Sequence, residues 1–89
     1  LVEIMKKYPN LKINVESHTD NQGNADYNRE LSEKRAQSTV QYVISQGIDA
    51  SRISGKGFGE DKPAVACGSN CTDAEHQKNR RSEFIIIER

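Results

Sequence analysis

Leu1, Ile4, Met5 and Tyr8 fall on one helical face, with Glu3, Lys6 and Lys7 opposite, so the chain opens as a short amphipathic helix. Pro9-Asn10 stops it. From Leu11 to Ser17 apolar and polar residues alternate, the pattern of a half-buried strand. His18 to Asn24 is a polar loop with one glycine, and a long helix is expected from about Asp26 to Gln46. Its inward stripe reads Leu31, Arg35 or Ala36, Thr39, Val40, Val43 and Ile44. Ser32 is the expected cap of the regular segment, with Asp26-Tyr27-Asn28 as an irregular first turn. Gly47 ends the helix and Ile48 can close the apolar contact of a left-handed cap.

Ile53 begins a short strand, and Gly55-Lys56-Gly57-Phe58-Gly59 suits a twisted or bulged strand end. An irregular loop fills residues 60–72, and Asp73 to Asn79 can form a short helix. Ser82 to Glu88 is the clearest strand. Its run Phe84-Ile85-Ile86-Ile87 is continuous and apolar, so both faces are expected to be covered. The order helix, strand, helix, strand, short helix, strand predicts an α/β fold, a two-layer sandwich with helices on one face of a small sheet. A helix at the very first residue suggests a missing preceding strand, and the chain reads as a piece of a longer protein.

Composition narrows the function. Thirteen Lys and Arg balance thirteen Asp and Glu, which disfavours a basic nucleic-acid binder and an acidic tail alike. No apolar run approaches the roughly 18 residues of a membrane span. Eighty-nine residues hold one core. Cys67 and Cys71 are too widely spaced for a redox CxxC motif. Three readings stand for them: a short disulfide loop contributing about 2 kcal/mol, free thiols, or part of a metal site completed by His76.

The chemistry-bearing residues are few. His18-Thr19-Asp20 could be a metal-binding HxD or an acid–base pair, but no activated nucleophile accompanies it. The glycine run lacks the Lys-Ser/Thr ending of a phosphate loop. Asn79-Arg80-Arg81, with Lys78 before it, is a local basic cluster, either a solvated helix end or a place where Arg80 or Arg81 reaches a carboxylate, and Arg81 is expected to face solvent. Asp20 at the strand end and Arg35 on the helix carry more weight. Brought to one cleft without saturating each other, they can hold a zwitterion, the carboxylate taking an ammonium and the guanidinium a carboxylate. A plain salt bridge is the competing reading.

Ser17-His18-Thr19-Asp20-Asn21-x-Gly23, followed by Tyr27-Asn28-x-x-Leu31-Ser32-x-x-Arg35-Ala36, closely resembles the OmpA-like C-terminal domain family. So do Gly47-Ile48-Asp49, Arg52-Ile53, Gly57-Phe58-Gly59-Glu60, Pro63 and Asn79-Arg80-Arg81-Ser82-Glu83. The resemblance runs from about Val2 to the chain end. It implies that residues 1–89 are one OmpA-like domain, truncated at its N-terminus, with helices on one face of a small mixed sheet and the first strand missing. It implies non-covalent binding of peptidoglycan through the diaminopimelate of its stem peptide, without catalysis, cofactor or metal. By motif position, Asp20 takes the ammonium and Arg35 the carboxylate, while Thr19, Asn28, Leu31 and Arg80 line the pocket. Peptidoglycan is the implied partner, with no nucleic acid, and the outer membrane is reached only through the missing remainder of the parent. The implied location is the periplasm, an oxidising compartment that favours the bridged state of Cys67 and Cys71. A partner-binding domain of the same fold without a ligand is the alternative.

Overall fold

The computed structural model describes residues 1–88. Three strands form one sheet: β1 (Lys12–His18), β2 (Ile53–Gly59) and β3 (Arg81–Glu88), in the order β2-β1-β3. β1 pairs with β2 in parallel and with β3 antiparallel. The parallel pair needs a crossover, and α2 (Ala25–Ser45) supplies it. α1 (Val2–Lys7) precedes β1, and α3 (Asp73–Asn79) leads into β3. This is the mixed α/β architecture the chain's alternating elements predict.

Ile13 and Val15 of β1 and Ile53 of β2 meet Met5 of α1 and Val40 and Val43 of α2 in the core, closed by Leu11 and Ile48. The helical stripe that reaches the sheet is Asn28, Ser32, Ala36, Val40 and Val43. Of the two candidates at the middle of that stripe, Ala36 is the inward one and Arg35 is exposed. Arg35 sits one residue, about 100°, round the helix from Ala36, and that step carries it off the sheet-facing line. Gly47 takes φ +96° and lets Ile48 turn back into the core, as the sequence suggests. Arg52 fastens the end of α1 by donating to the carbonyls of Met5, Tyr8 and Leu11.

Two expectations fail here. Ser32 is no cap: α2 is regular from Ala25, capped by the Asn24 side chain, which accepts from the Tyr27 amide. Ser32 is instead fully buried eight residues into the helix, where its hydroxyl accepts from Gly59 N at 2.8 Å. The isoleucine run of β3 is not covered on both faces; Phe84, Ile85, Ile86 and Ile87 are 39–60% exposed. β3 is an edge strand, and α2 lies over β2 and β1 rather than over it.

The glycines of β2 have a sharper reason than freedom at a strand end. A Cβ on Gly57 would stand 2.0 Å from Glu33 N, and one on Gly55 would meet Val40 Cγ2 at 2.9 Å. Helix and strand therefore touch backbone to backbone. Across that contact Glu33 accepts from Gly57 N at 2.7 Å and Gln37 donates to Gly55 O at 2.9 Å. The run lies within a strand and opens no helix, so no phosphate loop exists here. Gly57→Ala is expected to destabilise the fold by about 3 kcal/mol or more, because the obstruction is backbone that cannot rotate away. Urea unfolding checks it; a loss below about 0.5 kcal/mol, the range of an ordinary surface change, contradicts the close approach.

Candidate functional site

Beyond the C-terminal end of β1, the chain passes through Thr19 and Asp20 into a loop that is stitched by polar side chains. Thr19 N donates to Gly59 O at 2.9 Å, and its hydroxyl donates to Asp20 O at 2.8 Å. Gln22 N donates to Asp20 Oδ1 at 3.0 Å, closing a local turn in which Gly23 takes φ +83°. Asn28, in the first turn of α2, donates to Gln22 O at 2.9 Å and more weakly to Asp20 O at 3.4 Å. Thr19 and Asn28 thus spend their polar groups on shaping the loop around Asp20.

Asp20 is the charged centre of this arrangement. It is 7% exposed, yet its Oδ2 accepts from Arg80 Nη1 and lies 4.0 Å from His76 Nδ1. Burial pushes its carboxyl up, but the Gln22 amide and the Arg80 guanidinium outweigh that and hold it below the ordinary carboxylate range. Arg80 is about half exposed, so this buried acid has a partner open to water.

Arg35 makes no ion pair among the described residues. Asn28, Leu31 and Arg35 stand at i, i+3 and i+7, on one flank of α2. Arg35 lies about 10 Å along the axis from Asn28, and helical side chains lean toward the N-terminus, back toward the Asp20 loop. Leu31, half-buried, lies between them. The expected Asp20, Arg80 and Asn28 are brought together, and Arg35 shares Asn28's flank of α2 without an ion-pair partner among the described residues.

As residues of the Asp20 site, His76 and Asn79 escape the sequence reading, which considers His76 only as a metal ligand beside the cysteines. They are 9% and 2% exposed, on the inner face of α3, and Asn79 clamps Val65 with both amide atoms. The Thr72–Glu75 capping box that opens α3 fixes the helical phase that turns both residues inward, and it is readable in the sequence. Cys67 and Cys71 are bridged, which removes the free-thiol reading and the metal reading with His76. The bridge spans the turn whose Gly68 carbonyl accepts from Asn21 beside Asp20. Arg81 does not simply face solvent: it donates to Glu83, Asn79 O and Lys62 O. His18 and Asp20 are no pair either. His18 stacks on Phe58, at 5.4 Å between ring centroids, while Asp20 meets Arg80.

A model described as the OmpA family matches residues 1–80. The chain belongs to the OmpA family. A probable lipoprotein YiaD of Escherichia coli is 41% identical over 83 residues, covering 93% of this chain and 36% of that protein. A peptidoglycan-associated lipoprotein of Agrobacterium fabrum is 40% identical, covering 92% and 45% respectively. This OmpA-family chain therefore spans less than half of either relative. The crystal structure of the peptidoglycan-associated lipoprotein from Burkholderia pseudomallei superposes with a TM-score of 0.84 at 27% identity, covering 96% of this chain and 70% of that one. The C-terminal domain of Helicobacter pylori MotB gives 0.83 at 26% identity, covering 96% and 64%.

The depressed Asp20 carboxyl carries a pH signature. Its stabilising contacts are fully present above the ordinary carboxylate value of about 3.9 and fade as pH falls through the lower folded value. Asp20→Asn is expected to cost about 1.5–3 kcal/mol at neutral pH, the range of a charge-assisted hydrogen bond. That gap should close in acid, below about pH 4. Urea denaturation of both proteins from pH 7 to pH 2.5 measures it; a gap that is constant throughout refutes an ionised, paired Asp20.

Proposed function

We propose that residues 1–89 are a non-catalytic module that binds peptidoglycan through the diaminopimelate of its stem peptide. The observation that carries this reading is a buried Asp20, held below the ordinary carboxylate range, whose ion-pair partner is half exposed, with Arg35, unpaired among the described residues, on the flank of α2 that carries Asn28, which bonds the same loop. A stem-peptide diaminopimelate ends in an ammonium and a carboxylate on one carbon, so its receptor must offer opposite charges close together. The ammonium adds to the Asp20 carboxylate, which has lone pairs left beyond those used by Gln22 and Arg80. Arg35 reaches back along α2 to take the carboxylate in a two-pronged bond. Leu31 packs against the carbon chain of the ligand, and Arg80 lines the pocket rim. Thr19 and Asn28 act by holding the loop, since their polar groups already serve it. Two relatives described as peptidoglycan-associated support the same reading.

Such a module tethers the protein that carries it to the cell wall. The carrier would be an envelope protein, with this domain in the periplasm and outer-membrane attachment left to the rest of the parent. The bridged Cys67–Cys71 pair fits that oxidising compartment.

Asp20→Ala and Arg35→Ala are each expected to abolish detectable binding to purified insoluble cell wall, while circular dichroism stays native. Removing one partner leaves a ligand charge uncompensated, at about 2–5 kcal/mol when the pair is desolvated. Lysine-type stem peptide keeps the amine but lacks the carboxylate, so calorimetry should find it bound far more weakly than the diaminopimelate peptide. Equal affinity for the two peptides removes Arg35 from its role.

A further inference from the structure

On the sheet face turned away from α1 and α2, three side chains converge that the ligand site does not use. Ile13 and Val15 point into the core, so the alternate residues Glu16 and His18 point to the other face. Glu83 stands directly opposite Glu16 in the antiparallel pair. His18 Nε2 lies 4.0 Å from Glu16 Oε1 and 4.0 Å from Glu83 Oε2, and the three atoms lie within 4.8 Å of one another. His18 is 2% exposed, and neither ring nitrogen has a hydrogen-bond partner among the described residues. A buried imidazole nitrogen is aimed between two carboxylate oxygens and is too far from either to bond it, although Glu83 Oε2 also accepts from Arg81 Nε at 2.6 Å.

We propose that Glu16, His18 and Glu83 form a binding site for a divalent transition-metal ion of the zinc class. Imidazole and carboxylate oxygen are both ligands such ions accept. Bonds of about 2.0–2.2 Å in a tetrahedral shell place ligand atoms about 3.4 Å apart, so the 4.0 Å separations from His18 need a contraction of about 0.6 Å, and the two carboxylate oxygens, within 4.8 Å of each other, one of up to about 1.4 Å. The two glutamates, 21% and 43% exposed, have the freedom to make it, and the fourth position stays open to water.

The surroundings suit the role. Arg81 Nε donates to the same Glu83 oxygen at 2.6 Å, using one of its lone pairs, and Asn14 donates to the other oxygen of Glu16 at 3.4 Å, contacts that orient the two carboxylates. Stacking on Phe58 fixes the imidazole plane. Arg81 and Lys62 oppose a cation, and the two glutamate charges offset them.

Zinc ion is the probe. Isothermal titration of the chain with zinc at pH 7.5 should find one ion per chain. Glu83→Gln and His18→Gln should each weaken binding roughly tenfold or more, at least what loss of an outer-shell partner does. Should His18→Gln fail to fold, the ring nitrogen signals of His18 in the ¹⁵N-labelled wild-type chain decide: zinc must shift Nε2. An unmoved His18 resonance overturns the proposal. So does zinc binding that survives Glu83→Gln, or that is lost through His76→Gln while the three-residue variants keep it.

Discussion

The contact on which the rest depends is the close approach of α2 to the free edge of β2. Strand edges present unpaired amides and carbonyls, and folded proteins must cover them. Here a helix does so with side chains: Ser32 takes Gly59 N, Glu33 takes Gly57 N, and Gln37 gives to Gly55 O. Three polar residues thereby stand in for a neighbouring strand. They can do so only because Gly55, Gly57 and Gly59 have no side chain to hold the helix off. The same contact fixes the height and rotation of α2. Asn28, one turn before Ser32, is then delivered to the Asp20 loop, and Arg35 is left on the outer flank.

Fold class and element order were legible because period-two and helical patterns are strong in Leu11–Ser17 and in the Val40–Val43 stretch. What escaped was the polar half of the packing. Ser32 resembles a cap because serine favours caps, and only the third dimension shows its hydroxyl meeting Gly59 across 27 residues. The isoleucines of β3 misled for a different reason. Sequence reports how apolar a strand is, whereas its place at the sheet edge decides what covers it.

The candidate site was readable in part. Asp20 and Arg35 stand out through charge and position, and motif resemblance supplied the roles proposed for them. That Arg80 or Arg81 reaches a carboxylate was readable, but which one was not: Arg80, 60 residues from Asp20, is its partner, because β3 returns antiparallel beside β1 and brings the α3–β3 junction to the same sheet end. Arg81, the next residue, is carried elsewhere by strand alternation, and it braces Glu83 and the Lys62 carbonyl.

That alternation also explains how one short segment meets two separate sets of neighbours. The β1–β2 register shifts between Ser17 and His18, where the pairing passes from Gly57 to Gly59. A bulge of this kind re-aims the residues that follow it. His18 ends up against Phe58, Glu16 and Glu83, and Asp20 against Arg80, Gln22 and His76. Among the described residues, these contacts share no side chain. A histidine two residues from an aspartate is therefore no evidence of an acid–base pair, and each residue answers to its own neighbours. Charge at one can change without passing directly to the other, so a zwitterion held by Asp20 and an ion held by His18 would be separable properties of one strand end.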